Sequence, residues 1–138
     1  MEGGALKVLI VEDSPEVQCR LIEMLQVRTD VQVVGCVDNA AEAINLADAQ
    51  CPDVVVLDVA LRGTDRGYTV LRHMRQYCPQ SKTIVLSNFD WDEMREGFLR
   101  GGACAYFDKS LEFRKARDWV FEQAACKARE NGQPAVPA

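Results

Sequence analysis

The stretch VVVLDVALR, residues 54–62, combines a buried-strand pattern with a single acid at its end. The four residues before Asp58 form an uninterrupted apolar run rich in β-branched side chains, which predicts a strand covered on both faces. In open parallel sheets, ligands bind outside the carboxyl ends of the strands. Asp58 is therefore a candidate reactive group at that edge, although a lone acid after a strand is more often a loop or capping residue.

Outward from this stretch, strand and helix patterns alternate five times. Strands are predicted at 6–11, 31–37, 54–58, 82–87 and 103–107. Helices are predicted from Pro15, from the capping residue Asn39, and over 68–77, 90–100 and 111–130. Apolar strands separated by helices imply an α/β protein with a doubly wound, five-stranded parallel sheet and helices on both faces. We expect one domain over residues 1–130 and a flexible tail over 131–138.

Composition narrows the class of protein. The chain has 138 residues, of which 48% are hydrophobic and 27% charged, as expected for a globular domain. Its net charge of −5 argues against a nucleic-acid surface. The six cysteines are scattered without a CxxC pair, which favours reduced cysteines in a cytoplasmic protein over a zinc site or disulfide framework. No signal peptide or membrane-spanning run is present.

Chemically active side chains follow four of the predicted strands. Glu12 and Asp13 follow the first, Asp58 the third, Ser87 ends the fourth, and Lys109 follows the fifth. Adjacent strands bring such ends within about 5 Å of one another. Three carboxylates at one point repel unless a cation lies among them, and their hard oxygens favour Mg²⁺. An aspartate beside Mg²⁺ is suited to accept a phosphoryl group, with the ammonium and the hydroxyl binding the phosphoryl oxygens.

On these motifs, residues 5–129 resemble a receiver domain of the two-component response regulator family. VLIVEDSPEV resembles its opening strand with the acidic pair, and VVVLDVALR its phosphoacceptor strand. The resemblance implies a flavodoxin-like fold with strand order 2-1-3-4-5 and phosphorylation at Asp58. It further implies that Mg²⁺ is bound by Glu12, Asp13, Asp58 and the backbone carbonyl of Ala60.

The later motifs carry the expected switch. TIVLSN resembles the strand with the switch hydroxyl, implying Ser87, and GGACAYFDKS the strand with the switch aromatic and the lysine, implying Tyr106 and Lys109. The implied partners are a histidine kinase or histidine phosphotransfer protein and a downstream protein target, without direct contact to nucleic acid or membrane. The implied output surface is the fourth helix, fifth strand and fifth helix, and a homodimer is possible. Little chain remains after the fifth helix, so we expect a stand-alone receiver.

The sequence departs from the family pattern at three places. Leu61-Arg62 replaces the common Met-Pro after the phosphoacceptor, and Asn88 replaces a small residue after the switch hydroxyl. Ser110 replaces the proline that usually follows the lysine through a cis bond. Since a cis bond before a non-proline residue costs about 3 kcal/mol, we expect the Lys109–Ser110 bond to be trans.

Three functions compete. The first is a phosphorylatable receiver, and the second is a phosphorylation-independent interaction module on the same fold. The third, a Mg²⁺-dependent phosphatase, is disfavoured because Val59 and Ala60 provide no second acid for the leaving group. We therefore expect no enzyme activity beyond slow autodephosphorylation.

Two further side-chain questions concern the helices. In the last helix, Trp119 and Phe121 flank the apolar stripe on opposite sides. Either one of them is an interface residue, or both extend a wide apolar face. His73, the single histidine, lies away from the inward positions of its helix and is predicted at the surface.

Overall fold

A computed structural model describes residues 4–59, 67–88 and 92–130. Within these residues the strands are β1 (Leu6–Val11), β2 (Val31–Val37), β3 (Val54–Leu57), β4 (Lys82–Ser87) and β5 (Ala105–Asp108). The helices are α1 (Pro15–Leu25), α2 (Ala40–Gln50), α3 (Gly67–Tyr77), α4 (Asp92–Arg100) and α5 (Phe113–Glu130). All strand pairs are parallel, in the order β2-β1-β3-β4-β5. The predicted fold and strand order are confirmed.

Strand β3 lies at the centre of the sheet, and its burial explains its uninterrupted apolar sequence. It pairs with β1 on one side and β4 on the other, and all four of its residues are buried. Val55 and Leu57 pack into the core shared with α2, α3 and α4, whereas Val54 and Val56 face the core shared with α1 and α5. Because both faces are covered, neither face of this strand carries a polar side chain.

Local capping chemistry places the first two helices as predicted. The Ser14 hydroxyl accepts a hydrogen bond from the Val17 N–H at 3.3 Å, with Pro15 in the first turn. Asn39 caps α2 by accepting from the Glu42 N–H at 2.9 Å. These side chains satisfy backbone donors that have no partner within the helix. Asp90, the predicted cap of α4, lies outside the described residues.

The predicted bounds of β5 and α5 are wrong by one or two residues. Strand β5 ends at Asp108 rather than residue 107, and α5 begins at Phe113 rather than residue 111. The reason is a hydrogen-bonded turn between them, in which the Glu112 N–H donates to the Asp108 carbonyl at 2.8 Å. The described residues contain no cis peptide bond, so the Lys109–Ser110 bond is trans as expected.

Trp119 and Phe121 both extend the apolar face of α5. Each is partly buried and packs against the core between the sheet, α1 and α5. The Arg28 guanidinium lies over the Phe121 ring, 4.8 Å from the ring centroid, and so covers this side chain at the margin of the apolar face. The wide apolar face is therefore the correct alternative of the two.

The predicted surface position of His73 is only partly correct. Its side chain is 16% exposed because α2 packs against α3, and His73 Nε2 lies 2.9 Å from Asp48 Oδ1 on α2. The apolar periodicity of α3 predicted which residues face the sheet, but it did not predict that α2 packs beside His73. None of the described helices is long and apolar enough to cross a bilayer.

Candidate functional site

Three carboxylates converge at the carboxyl edge of the two central strands. Glu12 and Asp13 follow β1, and Asp58 follows β3, where Val11 and Leu57 are paired across the strands. One carboxylate oxygen from each acid lies within 4.8 Å of one oxygen of the other two. The structure thus brings together the three acids that the sequence predicted as neighbours.

Two of these acids are buried to an extent that is rare for charged side chains. Glu12 is 1% exposed and Asp58 is 5% exposed. Lys109 Nζ lies 2.9 Å from one oxygen of Glu12 and 3.0 Å from the other, and 3.4 Å from Asp58 Oδ1. The Ser14 N–H also donates to Glu12, at 3.1 Å. The ammonium therefore pairs mainly with Glu12 and lies farther from Asp58.

The charge of this cluster fits a hard divalent cation. Three carboxylates and one ammonium leave a formal local charge of −2 when all four groups are ionised, in a region where two of the acids are shielded from water. Mg²⁺ prefers carboxylate oxygens and retains several water ligands, so it needs only one open side of such a cluster. Asp13 is partly exposed and provides that side. The donor set is chemically suited to Mg²⁺.

The turn that carries Lys109 is held by two acids that the sequence motifs did not identify as functional. Asp108 Oδ1 accepts from the backbone N–H groups of Ser110 and Leu111, at 2.7 and 2.9 Å. Glu112 Oε1 accepts from the Asp108 N–H at 3.0 Å. The available signal was the spacing of the two acids around the start of a helix, where Asp and Glu side chains bind free backbone donors. These bonds orient the turn without a proline at position 110.

This hydrogen bond perturbs Glu112. The Asp108 N–H stabilises the carboxylate and lowers the pKa of Glu112, and the nearby Lys115 adds to that effect while partial burial opposes it. A lowered folded-state pKa means that the carboxylate stabilises the fold at pH values above its unfolded-state pKa of about 4.3. That contribution is lost as the pH falls through the folded-state pKa.

We expect Glu112→Gln to lower the free energy of unfolding by about 0.5 to 1 kcal/mol at pH 7, because a neutral amide oxygen is the weaker acceptor. The difference from wild type should shrink as the pH falls below the unfolded-state pKa and vanish below the lowered folded-state pKa, where the wild-type carboxylate is also neutral. Urea denaturation across this pH range measures it, with the exposed Glu96→Gln on α4 as the control. A difference that persists unchanged in acid would contradict the assigned charge effect.

Ser87 and Tyr106 lie on the neighbouring strands β4 and β5. Ser87 is fully buried and Tyr106 is 4% exposed, so the predicted aromatic already lies inside the protein. Its ring centroid is 6.2 Å from that of Phe98 and 5.0 Å from the Arg95 guanidinium. Arg95 also donates to the Tyr106 carbonyl at 3.0 Å, which connects α4 to β5. These contacts link β5 to the outer helix α4.

Gly67 at the start of α3 lies directly over the end of β3. A Cβ atom at this position would overlap the backbone carbonyl of Asp58, so only glycine permits the approach. The Gly67 N–H donates to the Val59 carbonyl at 3.0 Å. Ala60, whose carbonyl was predicted as a metal ligand, and the Leu61-Arg62 departure lie outside the described residues.

Comparison with known proteins agrees with this architecture. The family model for the response regulator receiver domain matches residues 8–120, so the chain belongs to the receiver domain family of two-component response regulators. The signal receiver domain of the response regulator NarL from Mycobacterium tuberculosis superposes with a TM-score of 0.80 at 26% identity. That alignment covers 88% of this chain and 97% of the other.

The curated relatives include longer proteins. A protein-glutamate methylesterase/protein-glutamine glutaminase from Pseudomonas fluorescens is 36% identical over 125 residues, covering 89% of this chain and 33% of the relative. The transcriptional regulatory protein LiaR of Bacillus subtilis is 26% identical, covering 94% of this chain and 58% of LiaR. The chain spans about a third of the methylesterase and just over half of LiaR. The activities in those names belong to the longer proteins.

Proposed function

We propose that this receiver domain accepts a phosphoryl group on Asp58 in a Mg²⁺-dependent reaction and transmits its state through a protein-interaction surface. The observation that carries the proposal is the position of Asp58, which is buried beside two further acids and has Lys109 Nζ 3.4 Å from Oδ1. A structural salt bridge needs one acid and one base, whereas a third carboxylate adds repulsion unless the site binds a cation and a phosphoryl group.

In the proposed reaction, a carboxylate oxygen of Asp58 attacks the phosphorus of the donor and forms a P–O bond. The bond from phosphorus to the donor's leaving atom breaks, and the leaving group retains its electron pair and takes a proton from solvent. Lys109 is positioned to bind one phosphoryl oxygen, since its ammonium already contacts Asp58. Mg²⁺ would be held by Glu12, Asp13, Asp58 and the Ala60 carbonyl, and when bound it would neutralise negative charge on the phosphoryl oxygens.

The phosphoryl donor is proposed to be a histidine kinase or a histidine phosphotransfer protein. The signal is proposed to pass from this domain to a downstream target protein. Ser87 is proposed to bind the phosphoryl group, with Tyr106 responding through its contacts to Phe98 and Arg95. The output surface is then α4, β5 and α5, and phosphorylation-driven dimerisation is one form that its use can take. The six free cysteines agree with a reducing, cytoplasmic location. Residues 131–138 are proposed as a tail outside the domain.

The decisive experiment is incubation with a small phosphodonor, with Mg²⁺ or with EDTA, followed by intact-mass measurement. We expect a gain of one phosphoryl group per chain with Mg²⁺ and none with EDTA. If no adduct forms and calorimetry detects no Mg²⁺ binding, the proposal fails and the phosphorylation-independent interaction module is favoured.

Ser87→Ala tests the proposed switch separately from the chemistry. We expect the phosphoryl adduct still to form, because Asp58, the acids and Lys109 are unchanged, while the spectroscopic response of Tyr106 to phosphorylation is lost. Intact mass measures the first property and tyrosine resonances the second, with Thr83→Ser, another buried hydroxyl position on β4, as the control. A Tyr106 response that survives in Ser87→Ala would exclude the relay.

A further inference from the structure

Three metal-binding side chains meet at the contact between α2 and α3. Asp48 lies in the last turn of α2, His73 lies on α3, and Cys78 directly follows α3. One ligand atom from each, a carboxylate oxygen, an imidazole nitrogen and a thiol sulfur, lies within 4.8 Å of the other two. Asp48 Oδ1 is 2.9 Å from His73 Nε2 and 4.0 Å from Cys78 Sγ. Among the described residues outside the acid cluster, no other group of this kind is found.

These three residues are remote from Asp58. In a doubly wound sheet the helices run opposite to the strands, so the carboxyl ends of α2 and α3 lie at the amino edge of the sheet. Asp58 lies at the carboxyl edge. The cluster therefore cannot belong to the phosphoacceptor site, and its chemistry requires a separate account.

The electrostatic surroundings of the cluster favour a cation. Helix carboxyl ends carry partial negative charge, and the last turn of α2 contains no basic residue. Arg75, in the last turn of α3, is directed toward α4, where its guanidinium donates to the Arg100 carbonyl at 3.4 Å. The partial negative charge of these two helix ends would stabilise a divalent ion bound between them.

We infer that Asp48, His73 and Cys78 form a binding site for a divalent transition-metal ion, with Zn²⁺ as the expected occupant. Imidazole and thiolate are ligands of Zn²⁺ and of the other first-row transition-metal ions, but not of Mg²⁺. Three protein ligands and one water molecule complete a tetrahedral Zn²⁺ site. The exposed Asp48 leaves room for that water. The Tyr77 ring, with its centroid 4.8 Å from that of His73, restrains the imidazole. On binding, Cys78 releases its proton to solvent, and the hydrogen bond between His73 and Asp48 is replaced by two metal–ligand bonds.

The test uses the full chain, reduced and freed of metal, in buffer with excess Mg²⁺ to occupy the acid cluster. Zn²⁺ affinity is measured by competition with a chromogenic chelator, and Co²⁺ is added as a spectroscopic substitute that reports thiolate coordination through a charge-transfer band. We expect one ion per chain and a Co²⁺–thiolate band. Because loss of an outer-shell partner alone costs 10- to 100-fold in affinity, His73→Gln and Cys78→Ser should each weaken binding by at least about tenfold.

Matched controls separate this site from nonspecific thiol binding. Cys104→Ser and Cys19→Ser change exposed cysteines elsewhere and should leave both the affinity and the band unchanged. Asp58 phosphorylation, or in its absence the unfolding transition, verifies that each variant is folded. Absence of the Co²⁺–thiolate band, unchanged Zn²⁺ affinity in His73→Gln, or equal loss in Cys104→Ser would overturn the inference and leave His73 and Asp48 as a structural hydrogen-bonded pair.

Discussion

Asp58→Asn is expected to abolish the phosphoryl adduct and, in metal-free buffer, to raise the free energy of unfolding. The amide has nearly the shape of the carboxylate but cannot act as the nucleophile, so the intact mass should show no gain with Mg²⁺ and phosphodonor. Asp118→Asn on α5 is the matched control, because it makes the same chemical change at an exposed position. An adduct of undiminished yield in Asp58→Asn would move the phosphorylation site elsewhere.

The predicted gain in stability follows from the charges around Asp58. This carboxylate faces two other acids within 4.8 Å and one ammonium at 3.4 Å, and that ammonium lies closer to Glu12. Removing one negative charge from a cluster of local charge −2 relieves repulsion, with an expected gain of about 1 to 2 kcal/mol at the effective dielectric of a protein.

Urea denaturation in EDTA measures the change in unfolding free energy without metal, and the same measurement in Mg²⁺ gives the stabilisation by the ion. Mg²⁺ should stabilise wild type more than Asp58→Asn, because the variant has lost one of its anionic ligands. The sign of the metal-free change is the informative result. If Asp58→Asn is less stable than wild type in EDTA, the contact with Lys109 outweighs the repulsion, and the acids form a salt-bridge network rather than a cation site.

The sequence was sufficient for the sheet and for the acids because both depend on patterns that are local in the chain. A strand buried on two faces must be apolar throughout, as residues 54–57 are, and parallel strands bring their ends to one edge. Glu12, Asp13 and Asp58 therefore follow from the strand assignments alone. Their burial and the nearness of Lys109 to Glu12 do not, because these depend on how the turn after β5 folds.

The features that the sequence patterns did not predict are set by contacts between distant segments. The turn carrying Lys109 is held by Asp108 and Glu112, which in sequence resemble ordinary solvent-exposed acids. The His73 side chain is mostly buried because a neighbouring helix covers it, whereas helical periodicity describes one helix at a time. The scattered cysteines likewise gave no sign of the cluster of Asp48, His73 and Cys78, because α2 and α3 bring these residues together only in the fold.

Lys109→Met is expected to lower the free energy of unfolding by about 3 kcal/mol in metal-free buffer, because it leaves the buried Glu12 carboxylate without its paired cation. The loss should be smaller in Mg²⁺, which would replace part of the missing positive charge. The matched control is Lys115→Met on α5, whose side chain is 70% exposed and 3.5 Å from Glu112. It should change stability by no more than about 0.5 kcal/mol.

Lys109→Arg separates the charge of this side chain from its packing. Arginine differs from lysine in the size and shape of its charged group but retains the positive charge. Because the charge is retained, the loss of unfolding free energy in EDTA should be clearly smaller for Lys109→Arg than for Lys109→Met. Urea denaturation of the three variants, each with EDTA and with Mg²⁺, gives the required comparison. If Lys109→Met and Lys109→Arg lose the same unfolding free energy, and Mg²⁺ changes neither loss, then packing of the lysine stem dominates. A loss that depends on charge and is offset by Mg²⁺ would mean that Lys109 and the metal act on the same buried acids.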